Sequence, residues 1–62
     1  MNDFEKAVRK TLIDREMKLT DLADALGISL TYLYDILNGS RKAEHQKKKI
    51  IEILKLEGDY DQ

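Results

Sequence analysis

Within residues 30–35 the chain carries Leu30, Thr31, Tyr34 and Asp35. Helical spacing turns Leu33, Ile36 and Leu37 inward and leaves these four pointing out, with Tyr32 on a flank. An apolar group, a hydroxyl, a phenol and a carboxylate then share one narrow surface. That set matches the edges of base pairs: a threonine bonds a base or touches a thymine methyl, a leucine packs on the same methyl, and a carboxylate accepts from a cytosine amino group. The major groove of B-form DNA admits an α-helix whose N-terminal residues reach those edges. Leu30, Thr31, Tyr34 and Asp35 are therefore the expected base readers, and double-stranded DNA the expected partner. Asp35 carries a condition. Phosphates repel a carboxylate, so it must read a base, orient a neighbouring cation or lie away from the backbone.

Phosphate chemistry is expected around this edge. Net charge is −1, with 11 Lys and Arg against 12 Asp and Glu, but the charges are unevenly placed. Residues 41–49 hold Arg41, Lys42, Lys47, Lys48 and Lys49 against Glu44 alone, while Glu57, Asp59 and Asp61 close the chain without a cation. A local positive patch follows the reading helix. Arg41 and Lys42, leaving directly from that helix, are the best placed phosphate contacts. Lys18, Ser29, Tyr32, Ser40 and Lys47 complete the expected set. The competing reading of Lys47-Lys48-Lys49 is the solvated face of a helix, and of Leu30 a half-exposed core residue. Helix N-terminal amides near Leu19 and Ala43 are further anion sites.

Four helices must position these groups. The first is expected over residues 3–15, with Asn2 and Glu5 as a capping box and Phe4, Ala7, Val8, Thr11 and Leu12 facing inward. Ile13 lies off that stripe, either against Met17 or open to a partner. The second is expected over residues 19–26 and the third over 30–37, with Ser29 as its N-cap and Asn38-Gly39 as its stop. Between them Gly27 supplies a left-handed turn at no steric cost. Ala23 lets the two helices cross closely, and Leu22, Leu26, Ile28, Leu33 and Ile36 fill the wedge. The fourth is expected over residues 43–56, with Ile50, Ile51 and Leu54 inward, Ile53 and Leu56 as spare apolar surface for a dimer, and Gly58 as its stop.

Composition narrows the class. At 62 residues with no Cys and no Pro, the chain reads as one domain over residues 1–62, all-α, without disulfide or thiolate reinforcement. A stability of about 3–9 kcal/mol is expected at this size. No apolar run approaches a membrane span and the polar start is no signal peptide, so a cytoplasmic protein without membrane contact is expected. His45 stands alone among cations, Ser29 and Ser40 lack a base at usable spacing, and Asp14, Glu16, Asp21 and Asp24 read as surface charges. Neither an enzyme nor a metal, cofactor or small-molecule ligand is expected.

The chain resembles the helix-turn-helix family of the Cro and phage-repressor type, also called the xenobiotic-response-element type. The resemblance covers nearly the whole chain. It rests on Leu22-Ala23, Leu26-Gly27-Ile28-Ser29, Tyr32-Leu33 and Asp35-Ile36-Leu37-Asn38-Gly39-Ser40-Arg41-Lys42. It implies a lambda-repressor-like bundle of four or five helices with the helix-turn-helix at about residues 19–38, and base reading by Leu30, Thr31 and Asp35. The chain departs from the pattern at three places: Leu19 stands where Gln is common, Lys18 where Thr often caps the second helix, and Glu16 where Gly commonly ends the first. The expected function is sequence-specific DNA binding as a homodimer in transcriptional regulation of a phage or mobile element. The alternatives are a protein-interaction module on the same fold, such as an antirepressor or adaptor, and an accessory factor in recombination.

Overall fold

A computed structural model describes residues 2–56, and all regular structure among them is helical. The order is α1 (Asp3–Asp14), α2 (Leu19–Leu26), α3 (Leu30–Asn38) and α4 (Glu44–Leu54). The α2 bounds are those expected. Arg15 is the C-cap of α1 rather than its last residue, and α3 runs one residue further, to Asn38.

The fourth helix is shorter than expected at both ends. Ala43 is its N-cap, with φ −128 and ψ 68, and Lys55 closes it in the left-handed region at φ 54 and ψ 47. Leu56 N–H then reaches back to the Ile51 carbonyl at 3.0 Å. The chain thus stops the helix without glycine, and the Gly58 expected to do so lies outside the described residues, as would any fifth helix. Glu16 does the same for α1 at φ 55, where Met17 N–H donates to the Leu12 carbonyl at 2.8 Å. Only half of the expected capping box forms at the start of α1. Asn2 Oδ1 accepts from Glu5 N–H at 2.7 Å, but the Glu5 carboxylate turns outward to Arg9 Nε at 3.0 Å.

One apolar core joins all four helices. Phe4, Val8 and Leu12 enter it from α1, Leu22, Ala23 and Leu26 from α2, Leu33, Ile36 and Leu37 from α3, and Ile50 and Leu54 from α4. Ala7 and Thr11 are only half-buried, and the Thr11 hydroxyl donates to the Ala7 carbonyl at 2.8 Å. Ile53 and Leu56 are not spare surface. Both are partly buried against the core, as are Ile51 and Met17, whereas Ile13 is left 74% exposed.

Two long-range polar ties close the bundle. Asn2 Nδ2 donates to the Leu37 carbonyl at 2.8 Å, and Arg15 Nη2 donates to the Leu54 carbonyl at 3.0 Å. Each satisfies a carbonyl that the last turn of a helix leaves unpaired. Lys47 lies over Phe4 near the starts of α4 and α1, and Arg15 joins their ends, so these two helices run side by side in the same direction.

The corner between α2 and α3 turns on Gly27 at φ 72. Ile28 N–H returns to the Ala23 carbonyl at 3.0 Å, satisfying another helix-end carbonyl. A Cβ on Gly27 would meet nothing within 4 Å, so the demand for glycine is conformational rather than steric. Gly27→Ala is therefore expected to lower stability by about 1 kcal/mol, with a smaller urea midpoint and an unchanged m-value. Glu16→Gly should do the reverse. Relief of about 1–2 kcal/mol of left-handed strain, less about 0.5–1 kcal/mol of glycine backbone entropy, leaves a net gain, read as a higher urea midpoint.

Candidate nucleic-acid interface

Ser29 starts α3: its Oγ accepts from Tyr32 N–H at 3.1 Å, the side-chain cap that its residue type favours. Behind the helix, Leu33, Ile36 and Leu37 are buried. They fix its rotation about its own axis. With that face committed to the core, Thr31 is exposed, Tyr34 is 42% exposed, and Leu30, Tyr32 and Asp35 are half-buried. Leu30 and Tyr32 also pack against the core, so each presents only part of its side chain outward. Of the four residues expected as readers, Thr31 and Tyr34 are exposed, Asp35 is half-buried, and Leu30 takes the half-exposed core position of its competing reading.

The exit of α3 brings three of the expected residues into contact. Gly39 turns the chain at φ 85, and Asn38 Oδ1 accepts from Ser40 N–H at 2.8 Å. Arg41 N–H then donates to the Asp35 carbonyl at 3.2 Å. The Arg41 guanidinium lies 5.0 Å from the centroid of the Tyr32 ring, and its Nε stands 4.0 Å from Asp35 Oδ2. Asp35 therefore stands beside a cation. Nothing in the sequence reading joined Tyr32 to Arg41. Their meeting depends on the Gly39 reversal, although Tyr32 and Asp35, three apart on a helix, are neighbours by spacing alone.

The remaining cations are dispersed. Lys42 and Ser40 are exposed. Lys47 is half-buried with Nζ 4.8 Å from the Phe4 ring centroid, a cation–π contact that ties α4 to α1. Lys48 is exposed and Lys49 half-buried. A groove of about 420 Å³ runs between the start of α1, the α3 exit and the start of α4, with Phe4 and Leu37 in its lining and both cations (Arg41, Lys42, Lys47) and carboxylates (Asp3, Glu44) beside them.

Lys18 is the exposed N-cap of α2. A lysine has no acceptor for the helix amides, so only the return bond is made, from Lys18 N–H to Asp21 Oδ2 at 2.9 Å. Leu19, at the first position of α2, packs against the core.

Among the described residues no group of three or more His, Cys, Asp or Glu is placed to hold a metal ion. No described helix is long and apolar enough to cross a membrane.

A protein-family model described as helix-turn-helix matches residues 6–60. No curated protein and no solved structure matches the chain.

Lys18→Thr separates the two duties of that position. Supplying the missing cap acceptor should raise stability by about 0.5–2 kcal/mol in urea denaturation. If Lys18 also meets a phosphate, the same variant should bind all duplex sequences more weakly, with a salt slope smaller by about 1.

Proposed function

The chain belongs to the helix-turn-helix family of the Cro and phage-repressor type, a family of DNA-binding regulators, and we propose that it is a sequence-specific transcriptional regulator of a phage or mobile element that sets α3 in the major groove. The observation that carries this reading is the division of α3. Leu33, Ile36 and Leu37 are wholly committed to the core while Thr31 and Tyr34 remain exposed on the opposite edge. Thr31 and Leu30, in the first turn, meet base edges, and Tyr34 reaches the same groove one turn on. Around them Ser29, Tyr32, Ser40, Arg41 and Lys42 lie next to the strand backbones, with Lys18 and Lys47 further out.

One module of this size covers roughly 600–1,000 Å² of DNA-facing surface, which is too little for tight binding alone. The protein accordingly acts as a homodimer on two half-sites about 34 Å apart, in the cytoplasm where such DNA resides. A second reading is favoured by one feature, the Asp35 carboxylate on the reading edge of a chain with net charge −1. It makes the fold an adaptor for another protein. Passage through heparin or random DNA at low salt without retention would select it.

Selection of bound duplexes from a random pool, followed by titration at several salt concentrations, tests the first reading. Log affinity should fall linearly with log salt, by about 0.9 per phosphate contact, and the selected sites should be two-fold symmetric. Thr31→Ala should relax preference at one base position by about 1–3 kcal/mol. A uniform loss across all sequences would remove Thr31 from the readers, and a flat salt response would remove DNA as the partner.

A further inference from the structure

Tyr32, Asp35 and Arg41 converge where α3 gives way to the chain leading to α4. We infer that Asp35 is a positioning residue for Arg41, and that with Tyr32 it forms a pre-aimed phosphate clamp at the exit of α3. This rests on the DNA-binding reading and assigns within it a role to the carboxylate least suited to a polyanion.

The backbone places Arg41 first. The left-handed Gly39 reverses the chain, and the Arg41 N–H bond to the Asp35 carbonyl at 3.2 Å holds the arginine beside the helix it has just left. Its side chain then lies across the α3 surface, with the guanidinium 5.0 Å from the Tyr32 centroid and Nε 4.0 Å from Asp35 Oδ2. A guanidinium has two hydrogen-bonding edges, one through Nε and one through the two Nη atoms. Asp35 approaches at Nε. The Nη pair is left for a second oxyanion, in the paired geometry that phosphate oxygens accept. The Arg41 side chain is 61% exposed, so that edge is reachable, while the Asp35 side chain is 36% exposed.

Such an exposed ion pair does little for folding. Its effect is to limit the rotamers that Arg41 would otherwise lose on binding. It also answers the repulsion problem, since a carboxylate already facing a guanidinium presents little net charge to a strand. Once Arg41 is removed, the same carboxylate faces phosphate alone.

Two measurements on the full chain test this. In the free protein, ¹⁵N relaxation of the Arg41 Nε–H should report an ordered side chain, loosened by Asp35→Asn and by Tyr32→Leu and retained in Tyr32→Phe, which keeps the ring. Arg41 as mobile in the native protein as in Asp35→Asn overturns the clamp. In duplex binding, Asp35→Asn should lower affinity about 2–5-fold for all sequences alike when Arg41 is present, and should raise it in the Arg41→Ala background. Equal effects in the two backgrounds, or altered preference at a single base position, overturn the inference and make Asp35 a base reader. A protein that binds no duplex at low salt while Arg41 stays ordered overturns the DNA reading, and the phosphate with it. Duplex binding with a mobile Arg41 overturns the clamp alone.

Discussion

The close crossing of α2 and α3 is the constraint from which the rest of the molecule follows. It needs a short side chain at the contact, supplied by Ala23, which is buried, and a reversal within three residues, supplied by Gly27 in the left-handed region. With that corner made, Leu22 and Leu26 of α2 join Leu33 and Ile36 of α3 in one buried apolar cluster. The third helix can then neither roll nor slide without uncovering them. A leucine side chain moved from the core to water costs about 1.5–3 kcal/mol, a large share of the stability a chain of this length commands. The exposed edge of α3 is thus held in place by what lies behind it.

The ends of the helices are less well made than the corner. Lys18 and Ala43 cap α2 and α4 without a side-chain acceptor, and Glu16 and Lys55 take left-handed backbone that glycine would accept more readily. Two ties made by side chains offset this. Asn2 caps α1 and, through its other side-chain atom, holds Leu37 at the end of α3. Arg15 gathers the last carbonyls of α4. Both reach across more than thirty residues of chain, so they act after the core has formed rather than by nucleating local structure.

This explains what could be read from the sequence and what could not. Periodic signals with a nearby cause were legible: the α2 bounds, the Ser29 cap, the Gly27 turn, the Asn38-Gly39 stop and the buried positions of α3 all follow from residues within a turn of each other. The end of α4 was not. The pattern of Ile50, Ile51 and Leu54 continues apolar through Leu56, and periodicity carries no sign that the chain reverses at Lys55. Leu56 was misread as spare surface for the same reason, because the reversal folds it back toward Ile51 and onto the core, while Ile53, still within α4, packs there from the edge of the helix's apolar stripe. At the candidate site, Thr31 and Tyr34 follow from helical spacing alone. The meeting of Arg41 with Tyr32 and Asp35 needs a backbone reversal in three dimensions, which spacing does not encode.

A chain with net charge −1 is an unusual partner for a polyanion, and the distribution of its charges is how the two facts are reconciled. Coulomb attraction between exposed groups is screened over about 8 Å at physiological salt. A phosphate brought to the α3 exit would therefore respond to Arg41 and Lys42, and also to Asp3 and Glu44, which line the same groove. Within that radius the one acid on the α3 edge, Asp35, already faces a guanidinium. Weak long-range attraction with strong local contacts favours discrimination over capture: such a surface gains little on arbitrary DNA, where only phosphates are met, and gains most where base edges add to them. On this argument the near-neutral total lowers the sequence-independent part of the affinity for a polyanion.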